Sequence, residues 1–188
     1  MFPNKYACLK KMKFSCGEYK IVPIRFEDRI DIMNWRNEQI YHLRQYEILT
    51  KPNQEKYFND IVANLFHKET PNQILFSYLK NSKCIGYGGL VHINWKDKNA
   101  EISFIMDTKL EKEEFQFHWT TFLSLIEEVG FNELKMHKIF TYAFDLRPHL
   151  YTALEQANYF KDGVLKEHLY FNNKYLDVVI HSKINTYK

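Results

Sequence analysis

The histidines, cysteines and acidic residues of this chain could do chemistry, but their spacing narrows which kind. Eight histidines are scattered with no H-E-x-x-H, and Cys8, Cys16 and Cys84 form no C-x-x-C, so no metal site is expected. Neither a G-x-S-x-G elbow nor a persuasive Cys-His pair offers a covalent nucleophile. G-x-x-x-x-G-K-[ST] and G-x-G-x-x-G are missing too, because Gly86-Tyr87-Gly88 is followed by Val91 where a third glycine would stand. What remains is acid–base and binding chemistry. His92, two residues before Asn94-Trp95 in a β-rich run, carries an imidazole suited to proton transfer near neutrality, although a lone strand histidine is more often structural. Trp35-Arg36-Asn37, followed by Tyr41, His42 and Arg44, offers stacking surface and anion-binding forks; capping and packing would explain the same residues without a ligand.

These residues must be held by a framework. The chain has 188 residues, 45% hydrophobic and 26% charged, which suits one packed domain. Aromatics reach 16% against 6 glycines and 5 prolines, so the core is ring-rich and sharp turns are few. Residues 1–18 show no period and read as a loosely ordered extension with Lys10, Lys11 and Lys13 in solvent. A net charge of +3 gives too narrow a basic face for a nucleic-acid partner. With no apolar run of membrane-spanning length, no secretory signal and an odd number of cysteines, the protein is expected in the cytoplasm and off the membrane.

Tyr19 to Arg25 reads as a strand. A helix starts at Asp28, and a second from about Asn53 puts Tyr57, Phe58, Ile61, Val62, Leu65 and Phe66 on one buried face. Ile74–Leu79, Cys84–Ile93 and Ala100–Met106 follow as an antiparallel meander. A helix from about Glu113 to Phe131 carries the stripe Phe115, Trp119, Phe122, Leu123, Ile126 and Val129. Lys138–Phe144 reads as a strand, Pro148–Asn158 as a helix, and Val164–Asn172 with Tyr175–Ile184 as a hairpin around Asn172-Asn173. The order β-α-α-β-β-β-α-β-α-β-β predicts an α/β fold with a mixed sheet in a single domain, residues 19–188. The strands at 100–106 and 138–144 should lie parallel, with ligands near their carboxyl ends.

That order resembles the Gcn5-related N-acetyltransferase (GNAT) superfamily across Tyr19 to Ile184. Ala100-Glu101-Ile102-Ser103-Phe104-Ile105-Met106-Asp107 resembles the family's fourth strand. Phe131-Asn132-Glu133-Leu134-Lys135-Met136-His137-Lys138-Ile139 resembles the passage from its third helix into its fifth strand, and Asn158-Tyr159-Phe160-Lys161-Asp162-Gly163 the close of its fourth helix. Trp35-Arg36-Asn37-Glu38 and Ile85-Gly86-Tyr87-Gly88-Gly89 are most similar to two branches: the ribosomal-protein type, and enzymes acting on nucleotide-linked amino sugars in surface-polysaccharide pathways. The resemblance implies transfer of an acetyl group from acetyl-CoA to a small-molecule amine, with no covalent intermediate; the final hairpin and the aromatic excess leave a monomer or a homodimer open. An O-acetyl acceptor, a protein N-terminus, or a binding module that keeps the fold without catalysis are the alternatives.

The resemblance also implies where the site lies. Acetyl-CoA would bind where the fourth and fifth strands splay, held by the backbone of Phe104, Ile105 and Met106. The family's glycine-bearing pyrophosphate loop is replaced by Leu110-Glu111-Lys112-Glu113-Glu114-Phe115-Gln116-Phe117-His118-Trp119-Thr120, without a glycine. Either this segment takes another shape, with Lys109 or Lys112 supplying charge, or the cofactor site is weakened. Leu154 stands where the family often has an acidic tyrosine, and Arg147 where an asparagine is frequent. Tyr151, nearly a turn earlier, either substitutes as the acid or packs on the sheet. Glu101 is the first candidate base, since a partly desolvated glutamate suits proton abstraction, and His92 is the second. Acceptor recognition falls to Trp35, Arg36, Asn37, Tyr41 and His42.

Overall fold

The structure, a computed structural model, describes residues 1–186. Strands β1 (Phe14–Cys16) and β2 (Tyr19–Pro23) precede helix α1 (Arg29–Glu38). Helix α2 (Lys51–Tyr57), a π-helical segment (Phe58–Val62) and α3 (Ala63–Leu65) follow without a break. Next come β3 (Ile74–Lys80), β4 (Lys83–Asn94), β5 (Asn99–Met106), α4 (Thr108–Glu113) and α5 (Phe115–Glu127), which runs into a second π-helical segment (Glu128–Glu133). The chain closes with β6 (Lys138–Phe144), α6 (Pro148–Gln156), β7 (Phe160–Phe171) and β8 (Lys174–Ile184). All eight strands form one sheet in the order β1-β2-β3-β4-β5-β6-β8-β7.

The mixed sheet and the expected element order are present, with β5 and β6 as the parallel pair. The Asn172-Asn173 turn takes positive φ at both residues (48° and 60°), as a two-residue hairpin of the right twist requires. Two differences stand out. Residues 1–18 do not form a loose extension: Tyr6 is 1% exposed, and its hydroxyl both donates to the Leu75 carbonyl and accepts from the Leu75 N–H, each at 3.0 Å. Its ring stacks on Phe66 at 4.0 Å, and Phe14 in β1 pairs with Ile21. Single aromatic anchors on an aperiodic segment leave no pattern to read. The second difference is α4, a short helix in place of the expected loop, opened by Asp107, whose Oδ1 accepts from the Lys109 N–H at 2.8 Å. Residues 187 and 188, included in the expected domain, lie outside the described residues.

One face of the central strands is covered by α5. Phe104 stacks on Phe122 at 4.0 Å and meets Trp119 edge-on at 5.2 Å. Gly88 makes that contact possible, since a Cβ there would stand 2.8 Å from Phe122 Cζ. The opposite face carries α1 and α2, and because side chains alternate along a strand, it receives Glu101, Ser103 and Ile105 from β5. Among the described residues no helix is long and apolar enough to cross a membrane.

Candidate active site

The parallel pair β5 and β6 is joined only at its start. Asn99, Ala100 and Glu101 pair with Lys138, Ile139 and Phe140, and the register ends there. Each strand stays bound to its other neighbour: β5 follows β4 as far as Met106, and β6 follows β8 as far as Phe144. The two therefore part into a wedge, as the sequence led one to expect. The polarity of its β5 wall follows from one bond. The Asp107 N–H donates to the Ile85 carbonyl at 2.9 Å, so in the alternating antiparallel ladder it is Tyr87 and Ile105 that exchange main-chain bonds. The peptide groups of Ile102, Phe104 and Met106 face the wedge; those of Ile105, expected there too, are spent on β4.

At its wide end the wedge is plugged by Gln39, 1% exposed, whose Nε2 donates to the Met106 carbonyl at 2.8 Å and to Thr108 Oγ1 at 3.2 Å. Nothing in the sequence pattern singled out this glutamine, since a polar side chain at the end of a helix reads as solvated.

A cavity of about 580 Å³ runs through the wedge from one face of the sheet to the other. Trp119, Leu150 and Phe104 line it on the α5 and α6 side; Arg36, Tyr57 and Tyr87 line it on the α1 and α2 side. His92 and Glu101 meet at its wall. His92 lies in a β-bulge between Val91 and Asn94 with φ of 48°, a left-handed conformation that costs a non-glycine residue roughly 1–2 kcal/mol. The bulge turns its Nδ1 onto Glu101 Oε2 at 2.8 Å and leaves the imidazole side chain 63% exposed. The other carboxylate oxygen of Glu101, itself 5% exposed, accepts from Arg44 Nη2. Arg44 also lies over the Tyr142 ring, 4.7 Å from its centroid.

Arg36, partly buried, donates from Nε to Gln45 Oε1 at 2.9 Å and from Nη1 to the Tyr87 hydroxyl at 2.6 Å. Its guanidinium is held more firmly protonated than usual, chiefly through Tyr87. His42 borders the same space, and burial, aided by the positive Arg147, pulls its pKa down to about 3, so the ring is neutral. Arg147 lines the cavity at the α6 end, 3.9 Å from Glu111; burial lowers its pKa against the opposing pull of Tyr41 and Glu111.

Seven of the expected residues thus border one space: His92, Glu101, Arg36, His42, Phe104, Ile105 and Arg147. Six do not. Tyr151 donates to Asp145 Oδ1 at 2.7 Å and stacks on His181, away from the cavity. Lys112 is exposed on α4, and the Met106 side chain is buried in the core. Trp35 is a core residue at 8% exposure, and Tyr41 sits outside at 42%. Asn37 spends its amide on the backbone of Leu49 and on Gln45, clasping the loop after α1. Each belongs to the right element but points along another side of it.

A wedge of this kind, opening unpaired main-chain groups onto a cavity that crosses the sheet, is the arrangement that the resemblance implies for holding an acyl-CoA thioester. The family model described as an acetyltransferase (GNAT) domain matches residues 21–180. The chain belongs to that family and is an acetyl-CoA-dependent N-acetyltransferase. Among solved structures, the spermidine N-acetyltransferase of Vibrio cholerae in complex with CoA and spermine aligns with a TM-score of 0.79 at 18% identity, over 91% of this chain and 98% of that one. The ribosomal-protein-S5-alanine acetyltransferase of Vibrio fischeri aligns with a TM-score of 0.74 at 17% identity, over 94% and 98%. A dodecameric structure of the Vibrio cholerae spermidine enzyme gives 0.73 at 19%, over 91% and 96%. No curated protein matches the chain.

Proposed function

We propose that this enzyme acetylates the amine of a small molecule of the nucleotide-linked amino-sugar class, with His92 as the base and Glu101 as the group that orients it. The observation that carries this reading is the bond from His92 Nδ1 to Glu101. An imidazole that donates from Nδ1 keeps its lone pair on Nε2, where it takes the proton that an attacking amine must lose. Glu101, the first candidate from sequence, has both oxygens engaged by Arg44 and His92 and serves better as an anchor than as the base. Acetyl-CoA, when bound, supplies an acetyl group activated as a thioester. The peptide groups of Ile102, Phe104 and Met106 would hold it, and the N–H groups opening α5, which no side chain caps, would take its phosphates with Arg147 nearby. That replaces the glycine loop with helix.

The acceptor class is supported by charge. Besides Arg147, Arg36 and Arg44 border the cavity, and its one carboxylate, Glu101, is paired with Arg44, which leaves the charge of Arg36 unbalanced. Such a lining favours an anionic acceptor over a polyamine. The same reading places the enzyme in the cytoplasm as a monomer or homodimer, in keeping with Cys8, Cys16 and Cys84 all being free thiols. The test is thiol release from acetyl-CoA with three acceptors: a nucleotide-linked amino sugar, spermidine, and a peptide with N-terminal alanine. The reading expects the first to give kcat/KM at least tenfold above the others. Spermidine or the peptide in first place would overturn it.

A further inference from the structure

We infer that Arg36 anchors an anion subsite in the acceptor half of the cavity, built to take a phosphate or carboxylate carried by the amine substrate. This rests on the reading of the cavity as an acceptor site, and it deepens that reading by assigning the charge to one residue.

The chain contains five arginines, and four of them have a carboxylate within 4 Å: Arg25 has Asp28, Arg29 has Glu55, Arg44 has Glu101 and Arg147 has Glu111. Among the described residues Arg36 has none, although it is partly buried. Its two hydrogen bonds go to neutral acceptors, the amide oxygen of Gln45 and the hydroxyl of Tyr87. Withdrawing a guanidinium from water, even in part, without a counter-charge is unfavourable, and an anion carried in by the substrate would offset that cost.

The surroundings fix the group for that purpose. Gln45, which holds Nε, is itself held by Asn37 Oδ1 and the Glu47 carbonyl, both at 3.0 Å. Asn37 is locked to Leu49 through both its amide atoms. Tyr87 is fixed by the β4–β5 ladder. A chain of neutral amides and one phenol thus orients the guanidinium while leaving its charge uncancelled, and Nη2 makes no hydrogen bond to any described residue. Tyr57 and the neutral His42, the titratable neighbours of Arg36 besides Tyr87, supply no negative charge, and Glu101, the one carboxylate on this face, has its two oxygens engaged by Arg44 and His92. A planar fork presented in this way matches the geometry of a phosphate or carboxylate.

Three probe amines on one skeleton separate the sources of the anion: glucosamine, glucosamine 6-phosphate and 2-amino-2-deoxygluconate. In the wild type at least one anionic probe should exceed glucosamine in kcat/KM by tenfold or more, and which one does so tells phosphate from carboxylate. Arg36→Gln should bring that ratio close to one, and Arg36→Lys should restore part of it. An unchanged ratio in Arg36→Gln, or no anionic preference in the wild type, overturns the subsite. A second measurement does not depend on turnover. Inorganic phosphate should raise the Tm of the CoA-loaded wild type and not that of Arg36→Gln, while the ligand-free Tm of Arg36→Gln stays within a few degrees of wild type. No phosphate effect in the wild type, or a collapse in the ligand-free Tm of Arg36→Gln, marks Arg36 as structural. If phosphate binding depends on Arg36 while His92→Ala transfers acetyl groups as fast as wild type, the base assignment fails and the subsite stands.

Discussion

Glu101 on β5 accepts a hydrogen bond at 2.8 Å from His92 on β4, across a bulge that gives His92 a left-handed backbone, and the pair forms the wall of the cavity beside the wedge. A bulge at this point aims a side chain that a regular strand would turn elsewhere. If His92 is the base, His92→Ala should lower kcat by about 10²–10⁴, the usual worth of a positioned base, and leave KM for acetyl-CoA unchanged. Glu101→Gln should cost less, because it loosens the tautomer without removing the imidazole. The check is the pH profile of thiol release. The acid limb should disappear in His92→Ala and persist in Glu101→Gln; a limb that survives in both would reject the assignment.

The position of Tyr151 leads to an expectation in the opposite direction. Its hydroxyl donates to Asp145, burial and that carboxylate hold its proton well above the ordinary tyrosine range, and it does not border the cavity. Tyr151→Phe should therefore keep kcat within about twofold, since no proton donor to the reaction is removed. A tenfold loss would return it to the mechanism.

How much of this was legible in the sequence depended on whether the signal was periodic. The stripe Phe115, Trp119, Phe122 located α5, the β-rich runs located the meander, and the wedge was expected from the resemblance of residues 100–107 and 131–139 to the family's fourth and fifth strands. At the site, sequence gave the element correctly and the direction poorly. Glu101 and His92 were separate candidates, and only the bulge makes them a pair. Trp35, Arg36 and Asn37 are consecutive on α1, so they cannot share a face; only Arg36 reaches the cavity. Tyr6 and Gln39 carry no pattern, because each does its work through long-range bonds to a single distant stretch of chain, Leu75 for Tyr6 and Met106 with Thr108 for Gln39.

Gly88 should be intolerant of even a methyl group. A Cβ there would press on the Ser103 carbonyl and stand 2.8 Å from Phe122 Cζ, where β4, β5 and α5 meet. Overpacking a core costs typically about 1–3 kcal/mol, and for a chain of this length each kcal/mol lowers Tm by about 2–4 °C. Gly88→Ala should lower Tm by roughly 5–10 °C in a calorimetric scan. Wild-type stability in that variant would mean that the sheet and α5 can move apart freely.

The neutral, buried His42 ties stability to pH in a direction that can be worked out. Its pKa is about 3 in the folded protein against an ordinary value of 6.5, chiefly because burial disfavours the charged ring and secondarily because Arg147 repels it. Between those values the unfolded chain binds a proton that the folded one refuses, so stability falls as pH drops from 6.5 toward 3. The slope approaches about 1.4 kcal/mol per pH unit, which makes the cost near pH 5 about 2 kcal/mol. His118 and His181 are lowered by burial as well and act with the same sign, so total acid sensitivity does not isolate His42. The difference from His42→Gln does, because the variant keeps the other two. Urea unfolding at pH 7 and pH 5 should show wild type losing about 2 kcal/mol more than His42→Gln over that interval. Equal losses would mean that His42 takes up its proton in the folded state, and that the space beside Arg147 admits positive charge after all.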